Sequence, residues 1–217
     1  MRSRIVTIVL LVGLAYGLLG LMPHLQSQRL PGNQQGYEPV QPIAFSHRLH
    51  AGELQISCVY CHQGADKGKH AGIPATSLCM NCHKSVSAPL AVGRAEEAKA
   101  KEENRPAKRV VSPELHKLYQ ALALDDELRP IAGQSPKGIA WLQVHNLPAF
   151  ACFDHRAHIG AGVSCQHCHG PVETMERVRQ VESLSMGWCV NCHREATDKG
   201  VSGKSVRPSV DCAACHY

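Results

Sequence analysis

Aromatic residues are scarce in this 217-residue chain: they make up 5 % of it, and three Phe and two Trp are too few to fill a hydrophobic core of ordinary size. The sequence also lacks the compositional bias of disordered, collagen-like or multi-span membrane proteins. Cysteine and histidine, by contrast, are abundant, with 11 and 14 residues. So many cysteines in a chain this short indicate metal or redox chemistry.

Residues 5–22 contain no charged side chain. As a helix they would span about 27 Å, close to the thickness of a bilayer core, about 30 Å. Arg2 and Arg4 precede this segment and no Lys or Arg follows before Arg29, which predicts a cytoplasmic N-terminus. A cleaved signal peptide is the alternative, but the segment is long for one and no small-residue cleavage site follows it. We therefore expect residues 1–23 to be a single-pass anchor in the inner membrane, with the remainder on the periplasmic side.

Beyond the expected anchor, a Gln- and Pro-rich tether over 24–42 leads into an internal duplication. Each copy opens with Phe-x-His-x-x-His and continues with two Cys-x-x-Cys-His motifs. The opening patterns occupy residues 45–50 and 153–158. The first copy carries motif I (58–62) and motif II (79–83), the second carries motif III (165–169) and motif IV (189–193), and motif V (212–216) stands alone.

These five motifs use ten of the eleven cysteines and are the signature of covalent c-type haem attachment. The two thiols of a motif add to the vinyl groups of one haem, and the adjacent His supplies a nitrogen to the iron. We therefore predict five covalently attached haem c groups. The attachment residues are Cys58, Cys61, Cys79, Cys82, Cys165, Cys168, Cys189, Cys192, Cys212 and Cys215, and the proximal ligands are His62, His83, His169, His193 and His216.

Zinc is the alternative cofactor, because motifs I and II, and likewise III and IV, are spaced like the cysteine pairs of a zinc ribbon. A zinc ribbon needs no His after each pair, whereas attached haem does. With 14 His in 217 residues, all five of these positions would be His by chance about once in a million. The histidines therefore favour haem over zinc.

Five haems in a domain of this size would form most of its core, which accounts for the scarcity of aromatic residues and predicts that the haem-free chain does not fold. We expect a haem-dense domain of short helices and irregular segments. It divides into a di-haem module (43–88), a polar helical connector (89–138) and a tri-haem module (139–217). Ten haem propionates would also offset the formal charge of +5, so the basic balance does not indicate nucleic-acid binding.

Two helices outside the motifs are predicted from local signals. Ser112 and Pro113 form an N-cap followed by Pro at the first helical position, which begins a connector helix. A second short helix is expected over residues 171–182, where apolar side chains recur on one side.

Distal ligands must come from the remaining nine histidines. His24 lies in the tether, His116 lies on the charged connector helix, and His167 lies inside an attachment motif, so none of the three is a good candidate. No Met occupies a convincing ligand position. Five of the following six histidines are expected to complete the five irons: His47, His50, His70, His145, His155 and His158.

The Phe-x-His-x-x-His pattern resembles that of the class III multihaem cytochromes c, the c3 and c7 families. The resemblance implies that the first His of each pattern ligates the next haem in sequence and that the second ligates a neighbouring haem. It pairs His47 with His62, His50 with His83, His155 with His169, and His158 with His193. The iron on His216 is left for His70 or His145, and His145 is slightly favoured because it lies in the tri-haem module.

Across essentially the whole chain, the sequence is similar to the pentahaem subunit of bacterial alternative complex III. The similarity lies in the single anchor, in residues 70–74, 141–148, 170–175 and 186–189, and in the terminal Cys-His-Tyr. It implies a quinol-oxidising membrane complex. The implied partners are an iron–sulfur/molybdopterin-type subunit, quinone-binding membrane subunits and a mono-haem cytochrome c.

Three functions are therefore in competition. The first is an electron-transfer subunit, not an enzyme on its own, that passes electrons towards a periplasmic cytochrome c or terminal oxidase. The second is a catalytic multihaem reductase, which needs an open iron and often a Cys-x-x-Cys-Lys motif that this sequence lacks. The third is a stand-alone multihaem quinol dehydrogenase, which shares the anchor but not the duplicated layout. The first is the best match.

Overall fold

A computed structural model describes residues 7, 10–14, 16–17 and 34–216. Residues 10–14 and 16–17 are helical. No helix within these described ranges is long and apolar enough to cross a membrane. Most of the segment expected to be the anchor, 1–23, lies outside the described residues, as do His24 and most of the tether.

From residue 34 onwards the chain consists of short helices joined by irregular segments, which confirms the expectation of a short-helix domain. A π-helical turn (Arg48–Glu53) and a 3-10 turn (Val172–Thr174) accompany the α-helices. In chain order these are α1 (Cys58–Cys61), α2 (Thr76–His83), α3 (Leu90–Glu102), α4 (Pro113–Ala121), α5 (His155–Ala161), α6 (Cys165–His169), α7 (Met186–Lys199) and α8 (Cys212–Cys215).

Side-chain caps begin several of these helices. The Ser112 hydroxyl accepts a hydrogen bond from the backbone N–H of Leu115 at the start of α4, with Pro113 at the first helical position, as predicted. Asp154, Ser185 and Asp211 cap α5, α7 and α8 in the same way. Each cap satisfies a backbone N–H that has no partner within its helix, so the helix starts are encoded locally.

The prediction of a helix over 171–182 is wrong beyond its first residues, because only Val172–Thr174 forms a helical turn. The following segment pairs with the start of the domain instead. The backbone N–H of Gln180 donates to the carbonyl of Tyr37 (3.1 Å), and the N–H of Gly36 donates to the carbonyl of Gln180 (2.7 Å). These long-range bonds replace the i to i−4 bonds of a helix.

The protein side chains alone form a small core. Within the described part of the chain, seven apolar residues are buried, and four of them are alanines. The only fully buried large side chains there are those of Tyr119 and Gln180. So little buried apolar area is far below what a domain of this length normally uses to fold.

The two copies pack against each other through their turns. The N–H of Arg48 donates to the carbonyl of Met175 (2.9 Å), which brings the π-helical turn of the first copy onto the 3-10 turn of the second. Gly52 lies at this contact, and a Cβ atom there would overlap the backbone carbonyl oxygen of Glu173. A side chain at this position would push the two copies apart.

Gly52→Ala should lower the free energy of unfolding of the haem-loaded protein by about 1–3 kcal/mol, the usual range for overpacking. Thermal melting followed by circular dichroism measures the loss. Gly68→Ala is the matched control, because nothing lies within 4 Å of a Cβ added there. Equal melting temperatures for the two variants would contradict the close contact at Gly52.

Candidate haem centres

In every attachment motif the two cysteines lie on a helix, and this explains how one motif can hold one haem. The His that follows is helical in motifs II, III and IV and is the C-cap residue in motifs I and V. Motifs I, III and V begin the one-turn helices α1, α6 and α8, whereas motifs II and IV lie within the longer α2 and α7. Residues three and four positions apart share one face of a helix. The two thiols of a motif therefore point to the same side as the following His ring.

Four of the five proximal histidines are oriented by backbone carbonyls. The Nδ1–H of His62 donates to the carbonyl of Gly72 (2.7 Å), and that of His83 donates to the carbonyl of Val86 (2.8 Å). The Nδ1–H of His193 donates to the carbonyl of Ser209 (2.6 Å), and that of His216 donates to the carbonyl of Phe150 (3.3 Å). A carbonyl can only accept, so the proton resides on Nδ1 and the lone pair of Nε2 is left free. This is the usual arrangement of a metal-ligating His and its supporting hydrogen bond.

Three of the distal candidates follow the same rule. The Nδ1–H groups of His50 and His158 donate to the carbonyls four residues earlier, those of Ser46 (2.9 Å) and Asp154 (2.8 Å). The Nδ1–H of His155 donates to the carbonyl of Lys69 in the other copy (2.7 Å). Their Nε2 atoms are therefore free as well.

The structure brings the rings of three of the expected proximal–distal pairs within about 6 Å of each other. The ring centroids are 6.1 Å apart for His50 and His83, 6.4 Å for His155 and His169, and 6.0 Å for His158 and His193. Metal–imidazole bonds of about 2 Å on opposite sides of one ion would place the centroids about 6 Å apart. The spacing therefore fits an iron between each pair.

The Phe residue of each opening pattern positions both histidines that follow it. Phe45 stacks on His50 with ring centroids 4.3 Å apart and meets His47 edge-on at 4.9 Å. Phe153 repeats both contacts in the second copy, at 4.5 and 4.8 Å. Sequence reasoning missed this role, although the repeated Phe was its signal. Edge-to-face and offset contacts of this kind restrict the orientation of the imidazole rings and also bury apolar area.

Burial keeps two of the candidate ligands neutral. Desolvation, with smaller contributions from His62 and His50, lowers the pKa of His47 to about 4. Desolvation and the neighbouring His145, His155 and His62 lower the pKa of His169 to about 4. Both imidazoles are thus unprotonated at neutral pH, the state that metal binding requires. The buried Nδ1 atom of His47 has no hydrogen-bond partner.

His145 lies beside His169 rather than opposite His216. Its Nε2 atom is 3.2 Å from the Nδ1 atom of His169, and the rings meet edge to face at 4.3 Å. His145 therefore takes the place that a carbonyl occupies at the other proximal histidines. The position of His145 gives no support to the slight preference for it as the distal ligand opposite His216, because its ring faces a different iron site.

The surroundings of His216 and His70 differ from those of the paired histidines. The ring of His216 faces Phe150, with centroids 5.6 Å apart, and no described histidine ring contacts it. His70 is exposed. No sequence pattern indicates that Phe150 lies against His216, because 66 residues separate them.

Histidines set aside as ligands have other partners. The Nδ1 of His116 contacts an Asp126 carboxylate oxygen at 2.7 Å, and its Nε2 contacts the amide nitrogen of Gln120 at 2.8 Å, so both ring nitrogens are engaged. The Nε2 of His167 lies 3.5 Å from the sulfur of Cys192, which joins motif III to motif IV.

The thiols do not form a zinc-type site in the described residues, where no group of three or more His, Cys, Asp or Glu side chains is arranged to hold a metal ion. Burial, followed by the nearby Cys192 and Cys189, raises the pKa of Cys168 to about 11. This thiol is therefore protonated at neutral pH.

Comparison with known proteins supports a multihaem cytochrome. Residues 151–217 match the family of cytochrome c7 and related cytochromes c. This part of the chain is similar to cytochrome c7 domains. A distant relative is the multihaem cytochrome c subunit of a menaquinone reductase from Nitratidesulfovibrio vulgaris (strain Hildenborough), which is 24 % identical over an alignment of 230 positions. The alignment covers 95 % of this chain and 86 % of the relative. The prediction of covalently bound haem c is supported, and the number of five stays a prediction.

His145→Ala should raise the reduction potential of one haem while all haems stay low-spin. Removing the acceptor of the His169 Nδ1–H makes this ligand less electron-rich, which disfavours ferric iron. Redox titration followed by visible spectroscopy measures the shift, and His116→Ala is the control. A high-spin band in His145→Ala would instead identify His145 as a distal ligand, and the same band in His70→Ala would identify His70.

Proposed function

We propose that this chain is a pentahaem c-type cytochrome that carries electrons within a quinone-linked respiratory membrane complex. The observation that carries the proposal is the set of three imidazole pairs whose ring centroids are 6.0–6.4 Å apart. In each pair the Nδ1–H of the distal histidine donates to a backbone carbonyl. Such pairs fit iron that is coordinated on both faces. The c7-like match and the multihaem relative support the same class.

In this proposal the ten motif cysteines attach five haems, and His62, His83, His169, His193 and His216 are their proximal ligands. His47, His50, His155 and His158 are distal to the haems of motifs I, II, III and IV. His47 is assigned by its place in the repeated pattern and by its proximity to His62. Desolvation is the largest cause of the lowered pKa of His47, and His62 is the next. The distal ligand of the motif V haem is left between His70 and His145, and the spin states of the His145→Ala and His70→Ala variants decide between them.

Coordination by two histidines favours electron transfer over catalysis. An iron with both axial positions filled has no site for a substrate, and bis-His haems have low potentials compared with His/Met haems. Haem supplies the one-electron chemistry, and this chain's residues fix the ligand orientation and neutral state. The chain is therefore proposed to be an electron-transfer subunit and not an enzyme on its own.

Two directions of electron flow are candidates. The sequence similarity to the pentahaem subunit of alternative complex III favours flow from quinol towards a periplasmic cytochrome c or terminal oxidase. The relative's name, a menaquinone reductase, favours flow towards the quinone. We place alternative complex III first. Its partners would be an iron–sulfur/molybdopterin-type subunit, quinone-binding membrane subunits and a mono-haem cytochrome c.

The proposed location is the inner membrane, with the haem domain on the periplasmic side. The support for it is the uncharged segment 5–22, preceded by Arg2 and Arg4, which has the charge asymmetry of a single-pass anchor. c-Type haem attachment outside the cytoplasm fits this orientation.

The purified full-length chain should have an intact mass that includes five haem increments, and its ferric spectrum should be low-spin. Five complete attachment motifs and the paired imidazoles are the reason. Intact mass spectrometry and visible spectroscopy measure both. Zinc in place of haem, or fewer than five increments in fully matured protein, would contradict the proposal.

Mild detergent extraction should recover the chain together with larger membrane partners, and that assembly should exchange electrons with menaquinol or menaquinone. The isolated full-length chain should accept electrons from dithionite and show no quinol oxidation, because its paired irons have no substrate position. Steady-state assays of both samples, in both directions, distinguish the two directions of flow. Quinol oxidation by the isolated chain would move it to the class of stand-alone quinol dehydrogenases.

A further inference from the structure

The order of the five motifs in space differs from their order in the sequence. Resting on the proposed function, we propose that the haems form a single file in the order II–I–III–IV–V. The haem of motif I then bridges the two copies, and the haems of motifs II and V are the two ends of the file. Redox partners would exchange electrons at those ends.

The first step joins motif II to motif I. The side-chain amide of Asn81 donates to the Tyr60 hydroxyl oxygen at 2.9 Å, and these residues occupy the same place in their motifs, immediately before the second Cys. The attachment residues of motifs I and II therefore lie side by side.

The second step joins motif I to motif III, across the boundary between the copies. The thiols of Cys58 and Cys165 lie near each other, since burial raises the pKa of Cys165 and the nearby Cys58 raises it further. The Nδ1–H of His155, the candidate distal ligand of the motif III haem, donates to the carbonyl of Lys69 in the loop after motif I. The backbone N–H of Arg156 donates to Gly68 O in the same loop (3.2 Å).

The third step joins motif III to motif IV. The Nε2 atom of His167, which lies inside motif III, is 3.5 Å from the sulfur of Cys192. The ring of His167 also lies 5.8 Å from that of Trp188, the residue before motif IV.

The fourth step joins motif IV to motif V. The Nδ1–H of His193, the proximal ligand of motif IV, donates to the carbonyl of Ser209, just before motif V (2.6 Å). Burial raises the pKa of Cys189, and the largest further cause is Cys215 of motif V. The proximal ligand of one haem is thus oriented by the segment that attaches the next.

Motif II ends the file because the connector covers its other side. The Tyr119 hydroxyl donates to the carbonyl of His83 (2.6 Å), and the guanidinium of Arg109 donates to the carbonyl of Lys84 (3.0 Å). Among the described residues, no hydrogen bond or ring contact joins motif II to motifs III, IV or V. The connector therefore packs at one end of the file and does not separate two haems within it.

The test uses the full-length haem-loaded chain and the effect of one haem's charge on its neighbours. His50→Met replaces the candidate distal ligand of haem II with Met, which raises the potential of that haem, so it is reduced first. Its reduction should shift the NMR haem-methyl signals of haem I and leave those of haem III nearly unchanged. His158→Met is the matched variant at haem IV, whose reduction should shift the signals of haems III and V but not haem I.

Asn81→Ala is a milder second variant that keeps every ligand and attachment residue. It lies in motif II, and it should also perturb the signals of haem I through the lost bond to Tyr60. If reduction of haem II shifts the NMR signals of haem III as strongly as those of haem I, the proposed order is overturned. The proposed electron-transfer function would be unaffected by that result. A chain without five haems would overturn both.

Discussion

The hydrogen bond from an imidazole Nδ1–H to a backbone carbonyl is the interaction on which this structure depends. It sets the tautomer and the ring plane, and it leaves Nε2 free for iron. Seven candidate ligands make it, and several of the acceptors lie in loops without regular structure, such as Gly72, Lys69 and Ser209. The conformation of these loops therefore depends on their hydrogen bonds to the candidate ligands. As a result, haem binding and folding of the chain are coupled.

Few aromatic residues suffice in such a fold, because they are placed on the ligands rather than spread through a core. Phe45 and Phe153 each contact two histidines, and Phe150 contacts His216. All three phenylalanines thus lie against candidate ligands. The buried apolar residues elsewhere are mostly alanines, which leave room between helices for large planar groups.

Local signals in the sequence predicted what is decided locally. The attachment motifs, the Ser112 cap and the short helices depend on neighbours within one or two turns. The duplication likewise placed His50 and His158 in equivalent surroundings, each stacked on the Phe of its own pattern. The place of His145 could not be predicted, because it depends on Gln180, whose buried side chain accepts from the N–H of Asn146 at 3.4 Å. Gln180 in turn pairs with residues 36 and 37, and no periodicity records a contact over that distance.

The positions of the seven acceptor carbonyls also bear on how the protein matures. Four of them precede their histidine in the chain, at Ser46, Lys69, Phe150 and Asp154, and the other three follow it within at most 16 residues, at Gly72, Val86 and Ser209. If the chain is exported N-terminus first, each of these imidazoles can therefore reach its acceptor carbonyl soon after it has been exported. None of these seven ligands has to wait for a distant C-terminal segment before it is oriented, which would allow haem to be attached one motif after another.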